Sequence, residues 1–463
     1  MRGVPRVLLK AGARDWLAFD APEEILVARG LAQVEPLIGE LERALADGRW
    51  TAGFLAYEAA PAFDSALRAR SPGGLPLAWF GIFAAPSRLA DEELPVGVGS
   101  TIGDWSARLD ERRHAEAISA IRERIARGDT YQVNFTLRLD APFAGDPWAM
   151  FSDLRRAQPT AHAAWLDLGD QTICSVSPEL FFELSHRHLV SRPMKGTARR
   201  GRTTAEDAVQ AAALTSSPKD RAENLMIVDM VRNDLGRVAK PGSVRVAELF
   251  RIERYPSLFQ MTSTVEAETD APLTEILRAL FPAASITGAP KAAAMGIIRE
   301  LEDSPRGVYT GAIGWAAPDR RARFNVAIRT VTVDRAAGRA EYGTGGGIVW
   351  DSTPEREVEE CRTKALVLTR PRPDLDLLET LLWEPRRGYF LLERHLQRLA
   401  DSATYFDLPC DREAAGTALA AAAASFPARP MRVRLRLAAG GATTVAASPL
   451  TAAPARWRAA LAA

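Results

Sequence analysis

Lysine is nearly missing from this chain. Of the 59 lysines and arginines in 463 residues only six are lysines (Lys10, Lys195, Lys219, Lys240, Lys291 and Lys364), which leaves 53 arginines, and no lysine follows Lys364. An arginine bias accounts for most surface positions. It does not account for where an amine is kept, because a guanidinium stays protonated where an amine can lose its proton and attack. Cysteine is also scarce. Cys174, Cys361 and Cys410 lie far apart and none has metal-site spacing, which excludes a disulfide framework and points to a reducing compartment. No run reaches the roughly 18 to 20 apolar residues of a membrane helix. The opening stretch MRGVPRVLLKAGARDW lacks the apolar centre of a signal peptide, so a cytoplasmic protein is expected. An excess of one charge is absent too: 59 basic and 58 acidic residues leave a formal +1, which argues against nucleic acid or an anionic membrane as the partner.

What is present is a globular composition, 47% hydrophobic and 25% charged, long enough for two or more domains. Up to about Ala90, short apolar runs alternate with Pro and Gly and predict strands and loops, with one helix near Gln33 to Ala46. After the polar break Asp91 to Ser100, apolar Ala117, Ile118, Ile121 and Ile125 predict an amphipathic helix from His114 to Arg127, ended by Gly128. TYQVNFTLRLD then alternates as a strand. Further helices are expected at Arg221 to Val231, with Leu225, Val228 and Met230 among its buried candidates, at Lys291 to Glu302 and at Pro354 to Val367. RFNVAIRTVTVD and RAEYGTGGGIVWDS read as a β-pair. Strand pairs separated by helices predict an α+β fold with antiparallel sheets covered on one face. The Pro-rich stretch 369–374 predicts a linker between residues 101–368, which follow an N-terminal region 1–100, and a segment 375–463 that ends in an Ala-rich tail.

Three local patterns could carry chemistry. In PMKGTARRG (Pro193 to Gly201) a lysine precedes a glycine, so backbone can approach a ligand while an amine projects into the same space; an ordinary turn with a solvated lysine is the alternative. Glu179, Glu223 and the group Glu355, Glu357, Glu359 and Glu360 lie in otherwise apolar or small surroundings, as carboxylates for a hard cation would. Glu357 and Glu360 share a helix face beside Lys364, although a solvated acidic helix would read the same. SITGAPK and YGTGGGIVWDS carry glycines where a small anion could approach backbone amides. Neither has Walker or Rossmann spacing, so nucleotide binding is not supported.

PMKGTARRG, ENLMIVDMVRNDLGRV, FPAASITGAPKAAAMGIIRELE, RGVYTGAIGW, NVAIRT, YGTGGGIV and EECRTKA follow one another between about residues 110 and 370. Together they resemble the chorismate-utilising enzymes, and among these the large component of aminodeoxychorismate synthase. The resemblance implies two face-packed antiparallel sheets flanked by helices, with chorismate and one Mg2+ between them. It implies Glu223 and Glu360 as magnesium ligands, with Glu357 as a possible outer contact, and Glu179 as the acid that protonates the departing C4 hydroxyl. Arg329 and Lys364 would clamp the substrate carboxylates, helped by Gly196, Thr197, Thr287, Gly288, Tyr309, Gly345, Gly346 and Gly347. Anthranilate-forming relatives have alanine where Lys195 stands, so the resemblance makes Lys195 the covalent nucleophile of a chorismate amination at C4, on the way to para-aminobenzoate and folate. Water-using relatives have a lysine base where this chain has Gln132. Two departures stand out: Gln260 occupies a position where several relatives have histidine, and His162 one where tyrosine is common. No glutaminase segment is visible, so a glutamine amidotransferase subunit is the implied partner. An anthranilate synthase large component is the nearest alternative. A non-catalytic scaffold that binds an amidotransferase is the alternative of another class.

Beyond the linker, LLETLLW and LLERHLQRLADSATYF resemble the start of the fold-type IV pyridoxal-phosphate enzymes, in particular aminodeoxychorismate lyase, with Arg398 as the implied cofactor-phosphate contact. That chemistry needs a lysine, and the segment has none, so pyridoxal phosphate is not expected in this chain. Either the natural chain continues into a full lyase or a fused domain has decayed or been truncated.

Overall fold

The computed structural model describes residues 6–12, 15–369 and 375–450. Linker residues 370–374 and the Ala-rich tail from residue 451 lie outside the described residues. The chain divides into two compact units, Met1–Arg199 with Ala211–Arg372 and Arg200–Gln210 with Pro373–Ala463.

In the larger unit the described strands form an eleven-stranded and a ten-stranded sheet, paired antiparallel throughout. The elements that matter for function are β1 (Gln132–Gly145), β2 (Met194–Arg199), α1 (Pro218–Gly236), β3 (Leu258–Glu268), β4 (Arg339–Ile348) and α2 (Pro354–Ala365). β1 and β4 are neighbours in the larger sheet, and β2 and β3 are neighbours at one end of the other. The first 90 residues supply strands to both sheets: Val7–Lys10 and Asp15–Phe19 to the larger, Trp50–Leu55 and Ala78–Phe83 to the smaller. Apolar side chains from both sheets, among them Leu9, Phe19, Phe54, Trp79, Leu166 and Ile313, meet in a shared core. A second core seats α1 and the helix Leu273–Leu280 on one sheet through Val228, Val231, Ile276 and Phe324. A third seats the helix Pro147–Ala157 on the other through Trp148, Phe151 and Trp165. This is the α+β architecture of face-packed antiparallel sheets. Among the described residues no helix is long and apolar enough to cross a membrane.

Two local expectations need correction. RFNVAIRTVTVD is not one strand: Arg321–Val326 belongs to the ten-stranded sheet, and only Thr330–Asp334 pairs with β4 in the other. The chain changes sheets at Ala327 to Arg329, and Arg329 takes a left-handed φ of 51° there. A period-2 pattern cannot reveal the crossing, because the residues are buried on both sides of it. In α1, Leu225 is 44% exposed rather than core. The helix uses Asn224, Ile227, Val228, Val231 and Leu235 instead. Ser217 caps it, accepting from Asp220 N at 3.3 Å, with Pro218 in the first turn.

The smaller unit carries a four-stranded sheet ordered Gly388–Tyr389, Leu377–Glu384, Met431–Leu437, Thr443–Pro449, covered by helices Leu392–Phe406 and Arg412–Ala423. Met431, Val433, Leu435 and Leu437 alternate inward while the arginines between them face solvent.

Candidate functional site

A cavity of about 380 Å³ opens in the larger unit, walled by β1 and β4 on one side, β2 and β3 on the other, and α1 and α2. Glu179, Lys195, Glu223, Arg329, Glu360 and Lys364, far apart in sequence, all line it. So do Gly196, Thr197, Tyr309, Gly345, Gly347 and Glu357.

Glu179 sits between two strands, almost fully buried, with its carboxyl Oε1 accepting from Ser285 Oγ at 2.5 Å. Burial raises its pKa to about 7, opposed by the Ser285 hydrogen bond and by the Lys195 and Lys364 charges. It is thus poised to hold a proton near neutrality. Lys195 lies on β2, where Asn224 Nδ2 donates to its carbonyl at 3.2 Å and Gly196 follows with φ 98°. Its amine is packed against β4: a Cβ on Gly347 would lie 2.4 Å from both Lys195 Nζ and Gln132 Nε2. Only glycine leaves that space.

Glu223 projects from α1, with Lys219 Nζ 3.8 Å and Gln132 Nε2 3.4 Å from its carboxylate. Burial raises its pKa, with the Lys195 charge opposing. On α2, Lys364 Nζ bridges Glu360 Oε1 at 2.6 Å and Gly345 O at 2.7 Å. Burial works against both charges, yet the pair keeps Glu360 below and Lys364 above its ordinary value. Glu357, one turn earlier, is buried and its Oε2 has no hydrogen-bond partner; a Cβ on Gly346 would meet that oxygen at 2.8 Å. Burial, then the Glu360 charge, raises its pKa.

Among the described residues no three His, Cys, Asp or Glu side chains converge as a metal cluster. The donor set is two carboxylates, Glu223 and Glu360, beside open volume, with an orphaned Glu357 oxygen behind. That set fits a hard cation such as Mg2+, which takes one or two carboxylates and completes its shell with water and substrate oxygens.

Arg329 is buried, its guanidinium held by Gln158 Oε1 at 3.1 Å and the Lys364 carbonyl at 3.3 Å. The carbonyl at Lys364 also accepts from Tyr342 Oη at 2.9 Å. The left-handed backbone at Arg329 is strain of the kind that persists where surroundings fix it. Tyr309 packs its ring on Gly343, and burial pushes its phenol up to about 12. On β3, Gln260 donates to Thr197 Oγ1 at 2.9 Å while its own Oε1 is buried and unpartnered. Thr287, Gly288 and Gly346 do not line the cavity. The Thr287 hydroxyl turns back to the Ala283 and Ala284 carbonyls, and Gly288 is pressed against Gln132 O.

The profile of the chorismate binding enzyme family matches residues 86–370. The chain belongs to the chorismate binding enzyme family. It is 42% identical over 269 residues to aminodeoxychorismate synthase component 1 of Salmonella typhimurium, an alignment covering 58% of this chain and 59% of that protein. It is 35% identical over 345 residues to anthranilate synthase component 1 of Methanothermobacter thermautotrophicus, covering 69% and 73%. Among solved structures, anthranilate synthase component I from Streptococcus pneumoniae shares the fold, with a TM-score of 0.69 and 23% identity over 80% of this chain and 95% of that one.

In this chorismate binding enzyme the sequence motifs missed Ser285, Asn134 and the exposed cations Arg199 and Arg356, all of which line the cavity. Ser285 stands inside SITGAPK and was legible there as a donor. Arg199 stands inside PMKGTARRG, whereas Arg356 lies in none of the motifs, because any surface arginine in so arginine-rich a chain looks the same. The amino-transferase class IV profile matches residues 376–463. Arg398 is there, but its guanidinium pairs with Glu379, which also accepts from His395 Nδ1 at 2.7 Å. With no lysine among these residues, the segment does not fit pyridoxal phosphate in its usual covalent attachment.

Two outcomes follow. Ser285→Ala removes a hydrogen bond that favours the ionised carboxyl, so Glu179 should titrate above its present value near 7; 13C-glutamate NMR across pH measures it, and an unchanged or lower midpoint contradicts the geometry. Gly347→Ala should leave the fold intact while displacing Lys195 and Gln132, and should lower chorismate turnover by about 10²-fold.

Proposed function

We propose that this chain aminates chorismate at C4 to give 4-amino-4-deoxychorismate in the cytoplasm, with Lys195 as covalent nucleophile and ammonia delivered by a glutamine amidotransferase subunit. The observation that carries the reading is that the amine of Lys195 shares one cavity with the proton-holding Glu179, the carboxylates Glu223 and Glu360, and the cations Arg329 and Lys364.

Chorismate is a dianion with a poor leaving group. Arg329 and Lys364 supply positive charge for its carboxylates. Glu223 and Glu360 would hold Mg2+, which when bound neutralises substrate charge and orients an oxygen. The neutral amine of Lys195 adds at ring C2 as the C4–O bond breaks, and Glu179 gives its proton to the departing hydroxyl, so that water leaves. Ammonia then adds at C4, the bond from C2 to the Lys195 nitrogen breaks, and one ammonia proton ends on the released amine. Arginine at position 195 could not serve, since it does not give up its proton. Gln132, beside the same amine, has no basic group to activate water, which supports ammonia as the second nucleophile.

The 42% identity to a protein named aminodeoxychorismate synthase component 1 supports the reading, although the chain spans only 59% of that relative's length. The anthranilate synthase relative keeps a second reading in view. One assay separates them. Incubated with chorismate, ammonium and magnesium, the protein should form aminodeoxychorismate; anthranilate as the product would overturn the proposal. Lys195→Ala and Glu223→Gln should each lower aminodeoxychorismate formation by at least about 10²-fold. Chelation should abolish it and added magnesium restore it.

A further inference from the structure

Beneath the cavity lies a cluster of buried charges to which the reaction assigns no part. The side chains of Arg306 and Glu302 are 1% and 3% exposed. The Arg306 guanidinium spends all its donors: two on the Glu302 carboxylate at 2.7 and 3.0 Å, one on Asn134 O at 2.7 Å, one on Ile286 O at 2.8 Å and one on Thr310 Oγ1 at 3.4 Å. Glu302 Oε1 accepts in addition from Thr136 N and Oγ1, at 2.9 and 2.8 Å. A buried pair of this kind is a poor source of stability, because desolvating two charges costs about as much as their attraction returns. What it can supply is position.

Each tie ends at the cavity wall or at a residue next to it. Asn134 and Ile286 line the cavity themselves. Ile286 follows Ser285, the donor to Glu179, and Thr310 follows Tyr309. Thr136 faces Gly345 across the β1 to β4 ladder. The fork of Arg306 therefore joins three separate chain segments, and a point charge could not make the same three contacts.

We propose that Arg306, oriented by Glu302, is a positioning residue for the reaction, fixing the Ser285–Ile286 turn against β1 so that the Ser285 hydroxyl meets the Glu179 carboxyl. The inference rests on the reading of Glu179 as the acid.

The test uses the full chain with saturating ammonium and magnesium and varied chorismate. Arg306→Lys keeps the ion pair but loses the fork. Arg306→Met with Glu302→Leu removes both charges but also takes their partner from the Asn134 and Ile286 carbonyls and the Thr136 N–H, so the thermal midpoint should fall and kcat is read at a temperature where the variant is folded. Both should lower kcat by about 10²-fold, with the chorismate KM changed by less than about threefold. Ser285→Ala should lower kcat in the parent but add less than about threefold in either variant, because the contact it removes is already lost. Parent-level kcat in Arg306→Lys, or full multiplication of its loss with that of Ser285→Ala, overturns the proposal. Glu179→Gln, assayed alongside, separates the two claims: if it keeps parent-level kcat, the acid reading fails, whereas the Arg306 variants report on the turn alone.

Discussion

The site depends on how closely β4 lets other groups approach it. From Gly343 to Gly347 the strand has one side chain, Thr344, and the spaces where others would stand are taken. The Tyr309 ring occupies that of Gly343, Glu357 that of Gly346, and Lys195 with Gln132 that of Gly347. Glycine weakens a strand, so such a run survives only where something else must occupy its surface. Here an amine from one sheet meets the backbone of the other, with the carboxylates and cations of α1 and α2 around it.

Burying so many charges is tolerated because they are set against one another. Lys364 answers Glu360, and Lys195 and Lys219 lie within the field of Glu223. Compensation is incomplete at Glu223 and Glu357, whose pKa values burial raises, and at Glu179, which holds its proton to about pH 7, whereas Lys364 keeps Glu360 low. Uneven compensation separates Glu179, which can donate a proton, from Glu360, which is held ionised. A cation at Glu223 and Glu360 would enlarge the contrast without changing its origin.

Much of this was legible in the sequence, for identifiable reasons. Helices capped by Asp110 or Ser217, or opened by Pro354, begin within three residues of where their patterns predict. Lys195, Glu223, Glu360 and Lys364 stand in motifs distinctive enough to be picked out, Glu179 was marked by its apolar surroundings, and the fold gathers all five in one cavity. What was hidden is what depends on pairing across the chain. The change of sheet at Arg329, the turn of Thr287 away from the cavity and the Arg306 network are set by partners more than a hundred residues distant or by backbone that leaves no periodic trace. In the smaller unit, the lysine count was more informative than the motif, since Arg398 is engaged by Glu379.

The central claim is that the amine of Lys195 becomes bonded to the substrate. It is tested most directly by acid-quenching the protein with chorismate and magnesium in the absence of ammonia and taking the mass of its peptides. The account predicts an adduct of chorismate less one water on the peptide containing Lys195, discharged when ammonium is added before the quench. Aminodeoxychorismate formed at the parent rate by Lys195→Ala, or an adduct found only on other peptides, would contradict it.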